Sequence, residues 1–183
     1  SLLYPCDDFI EGKILRIKQQ YILCSATIRD IINTFKSRND SWDEFPSKMV
    51  MQLNDTHPSL AIPELMRLLI DEEELDWDQA WDITTNSMNY TNHTVLPEAL
   101  EKWPMKLLKD LLPRVFSIIQ EIDNEWKSKH NNISPKTYII QYEKDHYHVN
   151  VNMANLCVIA SKHVNGVAEI HSNILKEDVF HEF

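Results

Sequence analysis

Between residues 11 and 36 apolar side chains return at steps of three and four: Ile14, Leu15, Ile17, Tyr21, Ile22, Leu23, Ile28, Ile31, Ile32 and Phe35. That period predicts a long amphipathic helix, or two abutting ones, with one face in a core. The polar, turn-rich SRNDSWDEFPS of residues 37–47 then reads as a surface loop. Met49–Leu53 is a short apolar run suited to a buried strand, and it stops at the polar NDTHP of residues 54–58. Pro63 and Glu64 suit the first turn of a helix running to about Asp71, with Leu65, Leu68 and Leu69 on one face. A second helix is expected from Asp76 to about Ser87.

The layout then repeats. Met88–Thr91 is another short strand, NHT at 92–94 another polar apex, and Pro97–Glu98 another helix start. Beyond Pro104, residues 105–112 and 114–129 read as two helices broken at Pro113. Residues 128–149 have no sustained period and read as an irregular surface excursion. From NVNMANLC onward helical spacing returns, with Asn165-Gly166 as the break before a further helix starting near Val167. The acidic run DEEELDWD at 71–78 reads as a solvated helix junction, and the five tryptophans as packing anchors, an exposed one being able to stack on a glucan.

Composition narrows the chemistry. Only Gly12 and Gly166 are glycines in 183 residues, where ordinary usage gives roughly 13. A P-loop or a GxGxxG fingerprint is therefore excluded from this stretch. A formal net charge of −10 has the wrong sign for tracking a phosphate backbone, which argues against a nucleic-acid partner. Cys6, Cys24 and Cys157 are an odd, scattered set without CxxC, fitting a reducing compartment rather than a disulfide framework or zinc site. His146 and His148 alternate beside Asp145 in the irregular segment, a weak pattern for metal, and no metal is expected. No run of about 18 apolar residues is present, so no membrane span is expected. The opening SLLYPCDDF has no initiator Met and no basic region before an apolar stretch, and reads as a chain entered part-way through. Four Asn-x-Ser/Thr tripeptides, from Asn54, Asn89, Asn92 and Asn132, are a motif common by chance.

The two strand-apex-helix units are 36 residues apart, counted from His57 to His93, and two helices fill the interval. That is room for a crossover between parallel strands, whose carboxyl ends are where open α/β sheets bind ligands. Asn54, Asp55, His57, Asn92 and His93 would then converge on one crevice, with Glu98 and Glu101 one helical turn apart behind them. Such a set without cysteine suits hydroxyl-rich ligands, since sugars need many donors and acceptors at fixed angles. The same residue types also close turns and cap helices, and the pattern alone leaves both readings open. No Ser/His/Asp triad has a nucleophile elbow to rest on. A purely helical interaction domain is the contrasting architecture, and it requires that residues 49–53 and 88–91 not pair as parallel strands.

NDTHPSLAIPELMRLL at 54–69 and YTNHTVLPEALEKWP at 90–104 closely resemble segments of α-glucan (glycogen or starch) phosphorylase. EGKILRIKQQY at 11–21, NMANLCVIAS at 152–161 and VNGVAEIHSNIL at 164–175 resemble the same family in the same order. Agreement weakens across about 37–43 and 127–149, while LCSATIRDII and WDEFPSKMVMQLNDTHP lean toward the plant-type enzymes. The resemblance implies a helix-rich α/β fold, part of one Rossmann-like domain of a two-domain GT-B glycosyltransferase, with short parallel strands ending near 53 and 91. Residues 1–183 would be the later part of the N-terminal catalytic domain, the cofactor-binding domain lying C-terminal to it.

By the same resemblance the full-length protein transfers a terminal glucosyl unit to inorganic phosphate, giving α-glucose 1-phosphate. Pyridoxal phosphate would be held by the C-terminal domain, whose cofactor lysine and Gly-rich loop are not in this stretch, and the isolated fragment would be inactive. The proton would come from substrate phosphate assisted by the cofactor's phosphate, so no glycosidase-type carboxylate pair is needed. His93 would be the catalytic-site residue, hydrogen-bonding the sugar's C6 hydroxyl and offering its backbone carbonyl to the developing positive charge. Asp55 and His57 would sit beside the sugar pocket, Glu98 and Glu101 on its inner wall, Val167 against the sugar face, and Asn165 in the adjoining turn. Asn33 and Thr34 stand where animal enzymes carry two arginines for nucleotide activation, which speaks against AMP control. Val115 replaces the family's usual His after Leu-Pro-Arg. A homodimer in the cytoplasm, or in a plastid for a plant-type protein, is the implied setting; a non-catalytic phosphorylase-like scaffold or glucan-binding module is the rival.

Overall fold

The computed structural model describes residues 9–94, 99–130, 133–143 and 148–166. The first apolar pattern forms one continuous helix, α1 (Ile10–Lys36), which buries Ile17, Cys24, Ile28, Ile32 and Phe35. Ile22 and Leu23 are exposed, because at about 100° per residue they fall far round the helix from Ile17 and Cys24. The expected surface loop is partly core. A 3-10 turn at Trp42–Glu44 leads into α2 (Phe45–Lys48), and Phe45 is fully buried. Phe45 meets Phe35 edge-on at 4.9 Å between ring centroids, and Trp42 lies 5.4 Å from Phe35. Turn-forming composition concealed Phe45, which with Trp42 closes the end of α1.

β1 (Met51–Asn54) follows, then α3 (Ala61–Asp71), α4 (Trp77–Ser87) and β2 (Met88–Asn92). α3 is buried along almost its whole length, including Ile62, Leu65, Met66, Leu68 and Leu69, each of which contributes about 1.5–3 kcal/mol by leaving water. Its Glu64 is also fully buried, accepting from Arg67 at 2.9 Å and from the Ser25 hydroxyl at 2.7 Å. Asp76 caps α4 by accepting from the Gln79 N–H at 2.8 Å. The acidic junction between these helices is more than a solvated run. Asp71 pairs with Arg114, Glu72 with Arg29 and Arg67, and Glu73 with Lys36, tying α3 to α1 and to the later helix that carries Arg114.

β3 (Lys102–Pro104) comes where the repeated pattern predicts a helix, so Glu101 stands in extended chain and not one turn beyond Glu98 on a helix. Glu98 and the Pro97 helix start lie outside the described residues. α5 (Met105–Leu111) and α6 (Pro113–Lys129) are separated at Pro113, as expected. Val115 is packed in the core on α6. Where it is described, the expected irregular excursion instead contains regular elements. A 3-10 turn at Pro135–Thr137 is followed by β4 (Ile140–Tyr142), β5 (Val149–Asn152) and α7 (Met153–Ile159). Asp145 and His146 lie outside the described residues, among which no cluster of metal-binding side chains occurs. Asn165-Gly166 is not a helix break but the end of β6 (His163–Gly166); the helix expected from Val167 lies outside the described residues.

These strands make two sheets. β1, β2 and β6 are parallel in the order β1-β2-β6, with Leu53 opposite Tyr90 and Tyr90 opposite Val164. The parallel pair overturns the purely helical alternative. β3, β5 and β4 form an antiparallel sheet in that order. The result is a helix-rich domain around a small parallel sheet of Rossmann-like arrangement, its core between that sheet, α1, α3 and α6. No described helix is long and apolar enough to cross a membrane.

Candidate functional site

Because β1, β2 and β6 are parallel and nearly in register, their carboxyl ends at Asn54, Asn92 and Gly166 share one edge of the sheet. At the β1 end the chain turns sharply. Asp55 takes φ 61°, a left-handed conformation that Asp tolerates better than most residues, and its N–H donates to the Thr91 carbonyl at 2.8 Å. The reversal points the Asp55 carboxylate across to β2. One oxygen accepts from the Thr56 N–H at 2.6 Å; the other accepts from the His93 N–H and the Thr94 hydroxyl, each at 3.2 Å. Three bonds occupy most of the acceptor capacity of a carboxylate, so Asp55 braces the two strand ends and retains little room for a further donor.

The β2 end is fixed from beneath. Asn92 is fully buried, donates to the Tyr90 hydroxyl at 2.7 Å and accepts from the Thr94 N–H at 2.7 Å. Between these buried anchors and Asp55 the His93 backbone is held in place, while its imidazole is exposed. Across the other face of the sheet, Gln52 donates to the Thr91 hydroxyl at 2.9 Å, and that hydroxyl donates to the Asn165 side-chain oxygen at 2.7 Å. This polar row links all three parallel strands and places Asn165 on β6 beside β2.

Glu101 arrives from the second sheet. Its carbonyl accepts from the Met153 N–H at 3.1 Å, next to the Lys102–Asn152 pairing, so the antiparallel ladder fixes its backbone. The side chain is nearly buried, and three groups approach a single oxygen, Oε2: Arg16 and Gln20 each at 3.5 Å, and His57 Nδ1 at 3.9 Å. Oε1 is buried and accepts no hydrogen bond among the described residues. Burial raises the Glu101 carboxyl to about 7. Arg16, Gln20 and the Trp103 indole, whose N–H approaches without reaching hydrogen-bond geometry, oppose that rise, and the Asp55 charge adds to it. A nearly buried carboxyl poised near neutrality beside the ends of parallel strands is a functional-site feature. Burial also raises the Tyr90 hydroxyl and the Cys157 thiol, so both stay neutral beside it.

The structure therefore brings together Asp55, His57, His93, Glu101 and Asn165 around the ends of the parallel strands; Glu98 and Val167 lie outside the described residues. Sequence reasoning missed Arg16, Gln20 and Thr94. The first two sit four residues apart on α1, the spacing that puts side chains on one helix face, which was the available signal. The cluster presents carboxylates, imidazoles and a guanidinium. No lysine amine takes part in it and no run of glycine N–H groups borders it among the described residues, so these residues do not fit a pyridoxal phosphate cradle.

The model of the carbohydrate phosphorylase family matches residues 1–183. The chain belongs to that family. It is 52% identical to an alpha-glucan phosphorylase, H isozyme, of Triticum aestivum over 193 residues, covering 100% of this chain and 23% of that protein. It is 50% identical to the H isozyme of Solanum tuberosum, again over 100% of this chain and 23% of the relative. It is 49% identical to the muscle form of glycogen phosphorylase of Homo sapiens, with the same coverage. Plant and animal relatives stand too close together for the family match to separate the two types. The chain spans about a quarter of the length of these relatives.

Proposed function

We propose that these residues are the later part of the N-terminal catalytic domain of an α-glucan phosphorylase of plant-like type. In this reading the full-length polypeptide transfers a terminal glucosyl unit of an α-1,4-glucan to phosphate, releasing α-glucose 1-phosphate. The observation that carries it is the joining of the two family motifs, Asp55 to His93, at the carboxyl ends of neighbouring parallel strands. The described part supplies the sugar side of the cleft within a two-domain GT-B arrangement. Pyridoxal phosphate and its lysine belong to polypeptide outside these residues, and the 183 residues alone are inactive.

The residues divide the work as follows. The His93 imidazole, exposed above a backbone locked by Asp55 and Asn92, binds the sugar's C6 hydroxyl. Its peptide carbonyl, held in one orientation, presents the negative end of a dipole to positive charge developing at the anomeric carbon, and needs no reorganisation to do so. Glu101 lines the inner wall of the sugar pocket, and His57 flanks the same wall. Asn165 orients the β6 end, while Glu98 and Val167 complete the pocket. A homodimer in the cytoplasm or a plastid is the setting we assign.

The test is direct. The full-length polypeptide, incubated with a linear α-1,4-glucan and inorganic phosphate, is expected to form α-glucose 1-phosphate. Binding of the glucan without product would instead identify a non-catalytic scaffold or glucan-binding module. The 183-residue chain mixed with pyridoxal phosphate is expected to show no stoichiometric aldimine absorbance.

A further inference from the structure

Glu101 is reached from an element that lies in neither sheet. Arg16 and Gln20 occupy successive turns of α1, some eighty residues earlier in the chain, and both reach the same carboxylate oxygen, Oε2. Their distances, 3.5 Å each, are long for hydrogen bonds, so the contact is chiefly electrostatic. It is also directional, since it leaves Oε1 as the oxygen without a partner among the described residues. The main chain of Glu101 is fixed by Met153, yet a glutamate side chain keeps three rotatable bonds beyond it, and these donors and His57 select among its positions.

We propose that Arg16 and Gln20 are positioning residues: from α1 they engage Oε2 and so set the orientation of the Glu101 carboxylate beside the ends of the parallel strands. The inference rests on the phosphorylase reading for its consequence in turnover, but not for the side-chain arrangement itself. Every element packed around the carboxylate enters the balance. On α1, Arg16 and Gln20 favour the charged form; after β1, Asp55 opposes it and the His57 imidazole faces Oε2. The Trp103 indole on β3 favours the charged form, while the Tyr90 hydroxyl on β2 and the Cys157 thiol on α7 are held neutral by burial. Near neutral pH the ionised carboxylate accepts a hydroxyl hydrogen bond that the protonated acid would accept poorly.

Two measurements test this. In the 183-residue chain with carbon-13-labelled glutamate, the Glu101 carboxyl resonance is expected to titrate near pH 7. Arg16→Met should move it alkaline by about one pH unit, Gln20→Leu by less, and Arg16→Lys should restore most of the original midpoint. The His57 ring is followed by its own resonances. In the full-length polypeptide, the acidic limb of kcat/KM for glucan phosphorolysis should move with the carboxyl, giving Arg16→Met a loss of about tenfold at pH 6.5 that shrinks at pH 8.5. Glu101→Gln should flatten that limb. An unmoved carboxyl midpoint in both Arg16→Met and Gln20→Leu, or a loss equal at every pH, overturns the proposal. A full-length polypeptide without phosphorolysis refutes the functional reading instead, and the carboxyl titration still decides whether α1 holds Glu101.

Discussion

The two sheets are held by opposite means. The parallel sheet grows from short strands in which buried Leu53, Met88 and Tyr90 alternate with polar residues, β2 packing on α7. The antiparallel sheet depends on buried polar groups that meet it from α6 and α7. Asp123 is almost fully buried on α6, accepts from the Ile139 N–H at 2.7 Å and pairs with Lys127. Asn155 donates to the carbonyls of Lys136 and Tyr138 at 2.7 and 2.9 Å, and Asn152 caps α7. A ligand site needs a polar group kept free of protein partners, and at the strand ends the bonded Asp55 and Asn92 hold up the exposed His93 imidazole. A brace needs its polar groups satisfied, which is what the second sheet does. Glu101 stands at the junction, its backbone in the brace and its side chain in the site.

Removing a buried brace should cost most. Asp123→Ala leaves the Ile139 N–H without its acceptor, and urea unfolding should show a loss of about 2–4 kcal/mol, with early exchange of that amide; a loss under about 0.5 kcal/mol would erase the distinction between the sheets. Next comes the junction. Glu101 is raised from 4.5 to about 7 in the folded chain, so the stability linked to its proton is present below pH 4.5 and lost as pH rises through 7. With its side chain only 13% exposed, Glu101→Gln should therefore stabilise the chain at pH 8 by up to about 3 kcal/mol and flatten the dependence between these values. Unchanged stability at pH 8 would mean that the carboxylate is not buried there.

Asp55→Asn keeps a residue suited to the left-handed backbone but weakens two carboxylate bonds, a cost of about 1–2 kcal/mol in the same assay. The exposed polar row should matter least: Thr91→Val is expected to cost about 0.5–1 kcal/mol, since water replaces what Gln52 and Asn165 lose.

This contrast also explains what could be read in the chain beforehand. α1, α3, α4, α6 and the first two parallel strands follow from periodicity, because apolar burial forms them. Asp55, His57 and His93 were visible as polar apices that interrupt apolar strands. The antiparallel sheet was not, because Asp123, Asn152 and Asn155 look like surface residues until a backbone amide or carbonyl meets them. β6 was hidden for a related reason: HVNG has three exposed residues and no alternation, and only its pairing with β2 makes it a strand. The resemblance puts Glu101 on the inner wall of a sugar pocket, but the expected helix is not its local element. Arg16 and Gln20 read as the solvent side of an amphipathic helix, since periodicity separates apolar from polar faces but does not tell which polar positions meet a charge.

Turnover by the full-length polypeptide carrying His93→Ala tests most directly the claim that these strand ends grip the glucosyl unit as it reacts. The account predicts that kcat for phosphorolysis of a linear α-1,4-glucan falls by about 10²–10³, while KM for the glucan changes by less than about threefold. An unchanged kcat, or a loss confined to KM, would contradict it.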